Sequence, residues 1–212
     1  MKNVRIFYKK LGSMKFVSHL DMTRFMSRLI AKSKIPVWYT EGFNQHIYMN
    51  FALPLSLGFE GFYEMVDIRL IDDSYSLDTC LEALKKSSPT DIEFVKIHEG
   101  KMPMKSIGFA RYELEFESFD FADTLNDFLN KDSILCEKIG KKGKVKEIDL
   151  IPKIKSFKIT QKGVDLILVA GSEDNLNPTL VIDTFFTQCQ IKLCYYTVKR
   201  TMIYNLDGEI FE

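Results

Sequence analysis

At 212 residues, 46% hydrophobic, 13% aromatic and 27% charged with zero formal net charge, the chain is too apolar to be disordered and suits one compact unit or two small domains. No apolar run approaches the roughly 20 residues that cross a bilayer, and no signal-type apolar block follows the N-terminus. The four cysteines, Cys80, Cys136, Cys189 and Cys194, form no CxxC pair, so reduced thiols in a cytoplasmic protein are expected.

Residues 4–10 alternate as a half-buried strand. Ser18, with the acid Asp21 three residues on, starts a helix of capping-box type. Met22, Phe25, Met26, Leu29 and Ile30 continue it at helical spacing, and Pro36 stops it. Residues 36–40 are β-rich, 41–46 form a loop, and 47–57 and 63–71 read as strands separated by Gly58 and Gly61. A helix over 76–87 and a strand over 91–98 complete the order β-α-β-β-α-β.

Residues 100–107 lack periodicity, and the order then repeats. A strand is expected over 110–117, a helix over 121–129, and strands over 134–139 and 147–159 around a lysine-rich turn. A strand over 164–170, a helix over 178–188 opened by Pro178, and a strand over 192–204 follow. The expected fold is α+β, a tandem ferredoxin-like (βαββαβ) duplication. Its halves are 1–99 and 110–212, joined by a linker over 100–109.

The zero net charge hides segregation. Residues 1–34 hold nine basic side chains against one acid, Asp21, and residues 138–162 hold nine lysines against Glu147 and Asp149. Much of the compensating acid falls in 60–127. Such basic blocks attract polyanions through counterion release, or are solvated faces.

Asp21, Arg24, Arg28 and Lys32, spaced by three and four, share one helix face. They form either a self-paired stripe or a phosphate-binding one in which Arg24 and Arg28 act as forks. The loop Gly42-Phe43-Asn44-Gln45-His46 has the make-up of a binding loop, with Phe43 to stack and Asn44 and His46 to offer polar edges. Its structural alternative is a connector with Phe43 packed in the core. His19 and His46, with Asp21 or Glu64, are the candidates for acid–base catalysis. No metal-ligand spacing, Walker A, GxGxxG, nucleophile motif or iron–sulfur triad is present, so neither a metal nor another cofactor is expected.

The ordered motifs Phe16-x-Ser18-His19-Leu20-Asp21-x-x-Arg24, Gly42-Phe43-Asn44-x-His46 and Ala52-Leu53-Pro54-Leu55-x-Leu57-Gly58 are distinctive. With Lys146-x-x-Asp149-x-x-Pro152 and Arg200-Thr201, they resemble a bacterial radical-SAM-associated family of unknown function over nearly the full chain. The usual loop of that family has proline where this chain has Gln45 and Ile47, which loosens the loop but keeps Asn44 and His46. Members occur alone or fused behind a radical-SAM protein, often encoded beside a G/E-type ribonuclease and ribosomal proteins.

The resemblance therefore implies an RNA-binding or adaptor protein without intrinsic catalysis. It would act with a separately encoded radical-SAM enzyme in RNA or ribosome modification or processing. RNA contacts are expected from Arg24, Arg28, Phe43, Asn44, His46, Lys141, Lys142, Lys144 and Arg200. One alternative is a metal-independent ribonuclease or RNA-modifying enzyme using His19 and His46. Another is a protein–protein interaction module docking through the acidic 60–127 region.

Overall fold

The computed structural model describes residues 1–139, 145–171 and 174–212. The turn lysines Lys141, Lys142 and Lys144 lie outside the described residues. The first half runs β1 (Lys2–Lys10), α1 (His19–Lys32), β2 (Met49–Phe51), β3 (Glu60–Leu70), α2 (Leu77–Ser87) and β4 (Ile92–Glu99). The second runs β5 (Ile107–Phe116), α3 (Ala122–Leu129), β6 (Leu135–Ile139), β7 (Val145–Asp149), β8 (Ile154–Ile159), β9 (Gly163–Val169), α4 (Pro178–Gln188) and β10 (Tyr196–Asn205).

Among the described residues these elements make a mixed fold of four α-helices and a mostly antiparallel eight-stranded sheet. The strand order is β4-β1-β3-β10-β5-β9-β8, with β2 beside β3 and β6-β7 forming a separate ribbon. In the first half β1 lies between β4 and β3, with β2 outside. In the second β5 lies between β10 and β9, with β8 outside. The β6–β7 ribbon is extra, inserted between α3 and β8. The halves join through one short parallel contact, Lys199 opposite Glu60 and Arg200 opposite Gly61.

Strand alternation sets the layers. Val4, Ile6 and Tyr8 of β1 and Val66, Ile68 and Leu70 of β3 pack with Met22, Met26 and Ile30 of α1 in one core. Ala110, Tyr112 and Leu114 of β5 belong to a second core, with Phe128 of α3 and Ile182 and Phe185 of α4. On the opposite sheet face of the first half, Arg5 is buried. It donates to Asp67 at 2.7 and 2.9 Å and to the Met102 carbonyl at 2.8 Å, with its guanidinium 4.5 Å from the Phe211 ring centre. The segment between the halves and the C-terminal segment therefore cover that face.

Four local expectations are corrected. The strand expected over 147–159 is two strands, β7 and β8, separated by a 3-10 turn at Ile151–Lys153 that contains Pro152. The turn is fixed by Asp149, whose carboxylate accepts from the amides of Ile134 and Ile151 at 2.9 and 3.1 Å. The strand expected over 47–57 shrinks to β2, because the chain leaves β3 after Phe51 and crosses toward the second half. Residues 36–40 contribute only bridges, Val37 to Leu70 and Tyr39 to Ile47. Strand β5 starts at Ile107, inside the stretch expected as a linker. No helix among the described residues is long and apolar enough to cross a membrane.

Candidate functional site at the junction of the halves

The junction carries charge on the helix-covered face of the sheet. Lys10 of β1 lies opposite Gly61 of β3, and Arg200 of β10 lies opposite both Gly61 and Tyr112 of β5. One row across four strands therefore reads Lys10, Gly61, Arg200, Tyr112. An irregularity between Lys10 and Tyr8 places three residues of β3 against two of β1, which brings Glu64 onto the same face as Gly61. A Cβ at Gly61 would lie 2.5 Å from the Glu64 side chain, so the missing side chain is what lets the carboxylate fold over the row.

Arg200 is 1% exposed. Its Nε donates to Glu64 Oε1 at 2.9 Å, and its Nη2 donates to Glu64 Oε2 and to the Leu53 carbonyl, each at 2.5 Å. Burial opposes its charge, but Glu64 and Tyr112 more than offset that and raise its pKa above the ordinary guanidinium value. Lys10, 3% exposed, donates to the Val17 carbonyl at 2.8 Å. Burial, opposed by Glu64, lowers the Lys10 pKa, while burial and then Glu64 raise that of Tyr8 well above the usual phenol. The segment 52–58 lies across the cluster as a strap. Under it, a void of about 10 Å³ touches Tyr8, Lys10, His19 and Glu64, and one of about 20 Å³ touches Tyr112, Asn177 and Arg200. Each has the size of a single water.

This burial corrects the placement of Arg200 on a basic surface. Its guanidinium is committed to Glu64 and Leu53 and presents nothing to a polyanion. His19 does reach the junction: exposed at the start of α1, it stands edge-on to Phe51, 5.2 Å between ring centres. Asp21 is tied up locally. It accepts from the Ser18 hydroxyl at 2.8 Å and from Arg24 at 3.1 Å, and these bonds, Ser18 first, lower its pKa.

Arg28 leads elsewhere. With Lys32 and with Lys86 of α2 it lines a surface groove of about 420 Å³ floored by Phe25, Leu29 and Pro89. No acid lines that groove, and among the described residues none of the three cations has an ion-pair partner. The loop stands apart from both places. Phe43 is fully exposed, not packed in the core. Asn44 supplies backbone: its carbonyl is 3.0 Å from His46 Nδ1, which also meets the Thr40 hydroxyl at 3.1 Å. A carbonyl only accepts, so this contact requires a proton on His46 Nδ1. Five residues of extended chain, roughly 16 Å, separate His46 from the Phe51 against which His19 rests. His19 and His46 thus occupy different places and share no contact.

Lys10 and Lys86 were absent from the candidates. Lys10 carries a signal: it continues the phase of Val4, Ile6 and Tyr8, the buried face of β1. Glu64 likewise shares the phase of Val66, Ile68 and Leu70, and Arg200 that of Val198. A charge on the apolar face of a strand demands a buried partner. Lys86 carries none, because nothing local ties α2 to α1.

Among the described residues, no group of three or more His, Cys, Asp or Glu side chains could hold a metal ion. A search of curated proteins found no match. The profile of the family described as "Uncharacterized protein conserved in bacteria (DUF2344)" matches residues 3–178, more than half of the chain, and the chain belongs to that family.

Proposed function

We propose that this protein is a cytoplasmic RNA-binding adaptor that works with a separately encoded radical-SAM enzyme, built as a tandem ferredoxin-like duplication. The observation that carries the RNA reading is the groove between α1 and α2, where Arg28, Lys32 and Lys86 converge without an acid. Unpaired cations over an apolar floor suit a phosphate backbone with a base or sugar laid against Phe25 and Pro89. The exposed Phe43 is a second stacking surface. Arg24 is less available, since it is paired with Asp21. The enzyme partnership rests on the motif resemblance. The duplication is supported by the same relative strand order in both halves, first strand central and second strand at the edge.

The test is retention of cellular RNA by the full chain across a salt series, followed by crosslinking and sequencing. Charge reversal of Arg28, Lys32 and Lys86 removes three phosphate contacts, so the slope of log affinity against log salt should flatten by about 2. The melting temperature should stay nearly unchanged, because all three side chains are on the surface. An unaltered slope in the triple variant would sink the proposal.

A further inference from the structure

The loop 42–46 is the tip of a hairpin whose base lies on the sheet. Thr40 N–H donates to the His46 carbonyl at 2.8 Å, Tyr39 bridges Ile47, and Tyr48 N–H donates to the Trp38 carbonyl at 3.2 Å. Trp38 N–H in turn donates to the Arg69 carbonyl at 2.8 Å, which sets the hairpin beside β3. Val37 and Ile47 turn into the core shared with α1. By alternation Trp38 and Tyr48 lie on the opposite sheet face, where Arg69 stands directly across from Asn3 of β1. The segments that bury Arg5 leave this end of the face open. Asn3 and Asn50 are exposed there, and Trp38, Tyr48 and Arg69 are half-buried.

Three of these side chains meet. The Arg69 guanidinium carbon lies 4.3 Å from the Tyr48 ring centre and 5.1 Å from that of Trp38, and the two ring centres are 5.9 Å apart. Arg69 Nε donates to Asn3 Oδ1 at 3.1 Å. Among the described residues its terminal nitrogens have no hydrogen-bond partner, and no carboxylate is at ion-pair distance, because the neighbouring Asp67 is taken up by Arg5. The buried arginines of this fold are held by acids, Arg5 by Asp67 and Arg200 by Glu64. Arg69 is instead oriented by two rings and an amide, with its fork left open. A guanidinium held in that way takes a phosphate or a base edge, and the rings beside it take the face of a base. We propose that the hairpin reads single-stranded RNA. One base stacks on the Trp38, Tyr48 and Arg69 surface with the Arg69 fork on the adjoining phosphate, and a neighbouring base stacks on Phe43 at the tip. The arm from Trp38 to Thr40 is only roughly 7 Å long, so one short stretch of strand covers both places. The site lies on the sheet face opposite α1 and α2. It rests on the RNA reading for its class of ligand, but not on the α1–α2 groove.

Trp38 is the only tryptophan of the chain, so intrinsic tryptophan fluorescence reports on this site alone. The experiment titrates the full chain with a short single-stranded oligoadenylate and with inorganic polyphosphate, and measures RNA retention on filters in parallel. Oligoadenylate should quench Trp38 saturably, whereas polyphosphate, which carries charge but no bases, should not. The quenching midpoint should rise at least fivefold in Arg69→Gln and in Phe43→Ala. Phe43 is fully exposed, so its truncation keeps the test decisive where Arg69→Gln disturbs folding. RNA retention without quenching overturns the proposal and leaves the groove reading standing. Equal quenching by polyphosphate overturns it as well, as do unchanged midpoints in both variants. Loss of all retention by the wild type overturns this site and the RNA reading together. Saturable quenching that persists in the double variant Arg28→Glu, Lys86→Glu, with an unaltered salt slope, supports this site and removes the groove alone.

Discussion

Removing either partner of the Arg200–Glu64 pair should destabilise the protein strongly and unequally. Both side chains are nearly inaccessible, 1% and 5% exposed, so solvent does not soften the loss. Breaking such a buried pair generally costs about 3 to 5 kcal/mol. Lys10 decides where each variant falls in that range. In Arg200→Met, the abandoned Glu64 carboxylate still feels the neighbouring Lys10 ammonium, so the cost should lie near the lower end, about 3 kcal/mol. In Glu64→Gln, two cations remain buried with no carboxylate between them, which points to about 5 kcal/mol. For a chain of this size that is a fall in melting temperature of roughly 10 to 20 °C. Guanidinium-chloride denaturation at constant slope measures both variants. The combined replacement by Met at both positions should cost less than Glu64→Gln alone, because it leaves only Lys10 uncompensated. Equal costs, or a larger cost for Arg200→Met, would refute the assignment of Lys10 to the same electrostatic cluster.

Further outcomes follow from single contacts. Gly163→Ala would drive a Cβ to 1.8 Å from the Leu114 carbonyl oxygen, and denaturation should show a loss of at least about 2 kcal/mol from forced strand displacement. Asp149 and Asp91 have pKa values held down, the first mainly by the Ile134 amide and the second by the Ser13 hydroxyl and amide. The stability they contribute is complete above the unfolded carboxylate value of about 4 and is lost as pH falls through their lower folded values. Acid titration of Asp149→Asn should accordingly show a shallower loss of stability below about pH 4 than the wild type. Burial pushes the Cys80 thiol up to about 12, so a thiol reagent at neutral pH should modify it only on unfolding, after the half-buried Cys136, Cys189 and Cys194.

What was legible in the sequence is what local chemistry decides. Ser18 accepts from the Asp21 amide at 3.2 Å as a cap should, and the periodic apolar residues after it bury one face of α1. Pro178 opens α4 behind the Asn177 cap. The strand errors have one physical cause. Extended chain reads the same whether or not it finds a ladder, and residues 52–57 and 150–153 lose theirs because Pro54 and Pro152 cannot donate and the chain must change layer. The site divides in the same way. The Asp21–Arg24 pair is local and was visible, whereas the meeting of Lys10 with Arg200 spans the whole chain. Arg200 enters the expected RNA contacts through the Arg200-Thr201 motif, although its two-residue phase with Val198 points inward.

The position of the charged cluster follows from how weakly the backbone joins the halves. Two paired positions in a parallel ladder do little to fix the register of β10 against β3. The nine paired positions of β10 with β5 already fix which of its side chains, Val198 and Ile203 among them, face the core. Arg200 adds a tie across the short parallel contact, reaching Glu64 across the open space above Gly61 while also holding the Leu53 carbonyl. A well-packed apolar pair in its place would give equal or better stability. Lys10 completes the cluster beside Glu64, its ammonium held by the Val17 carbonyl under the strap.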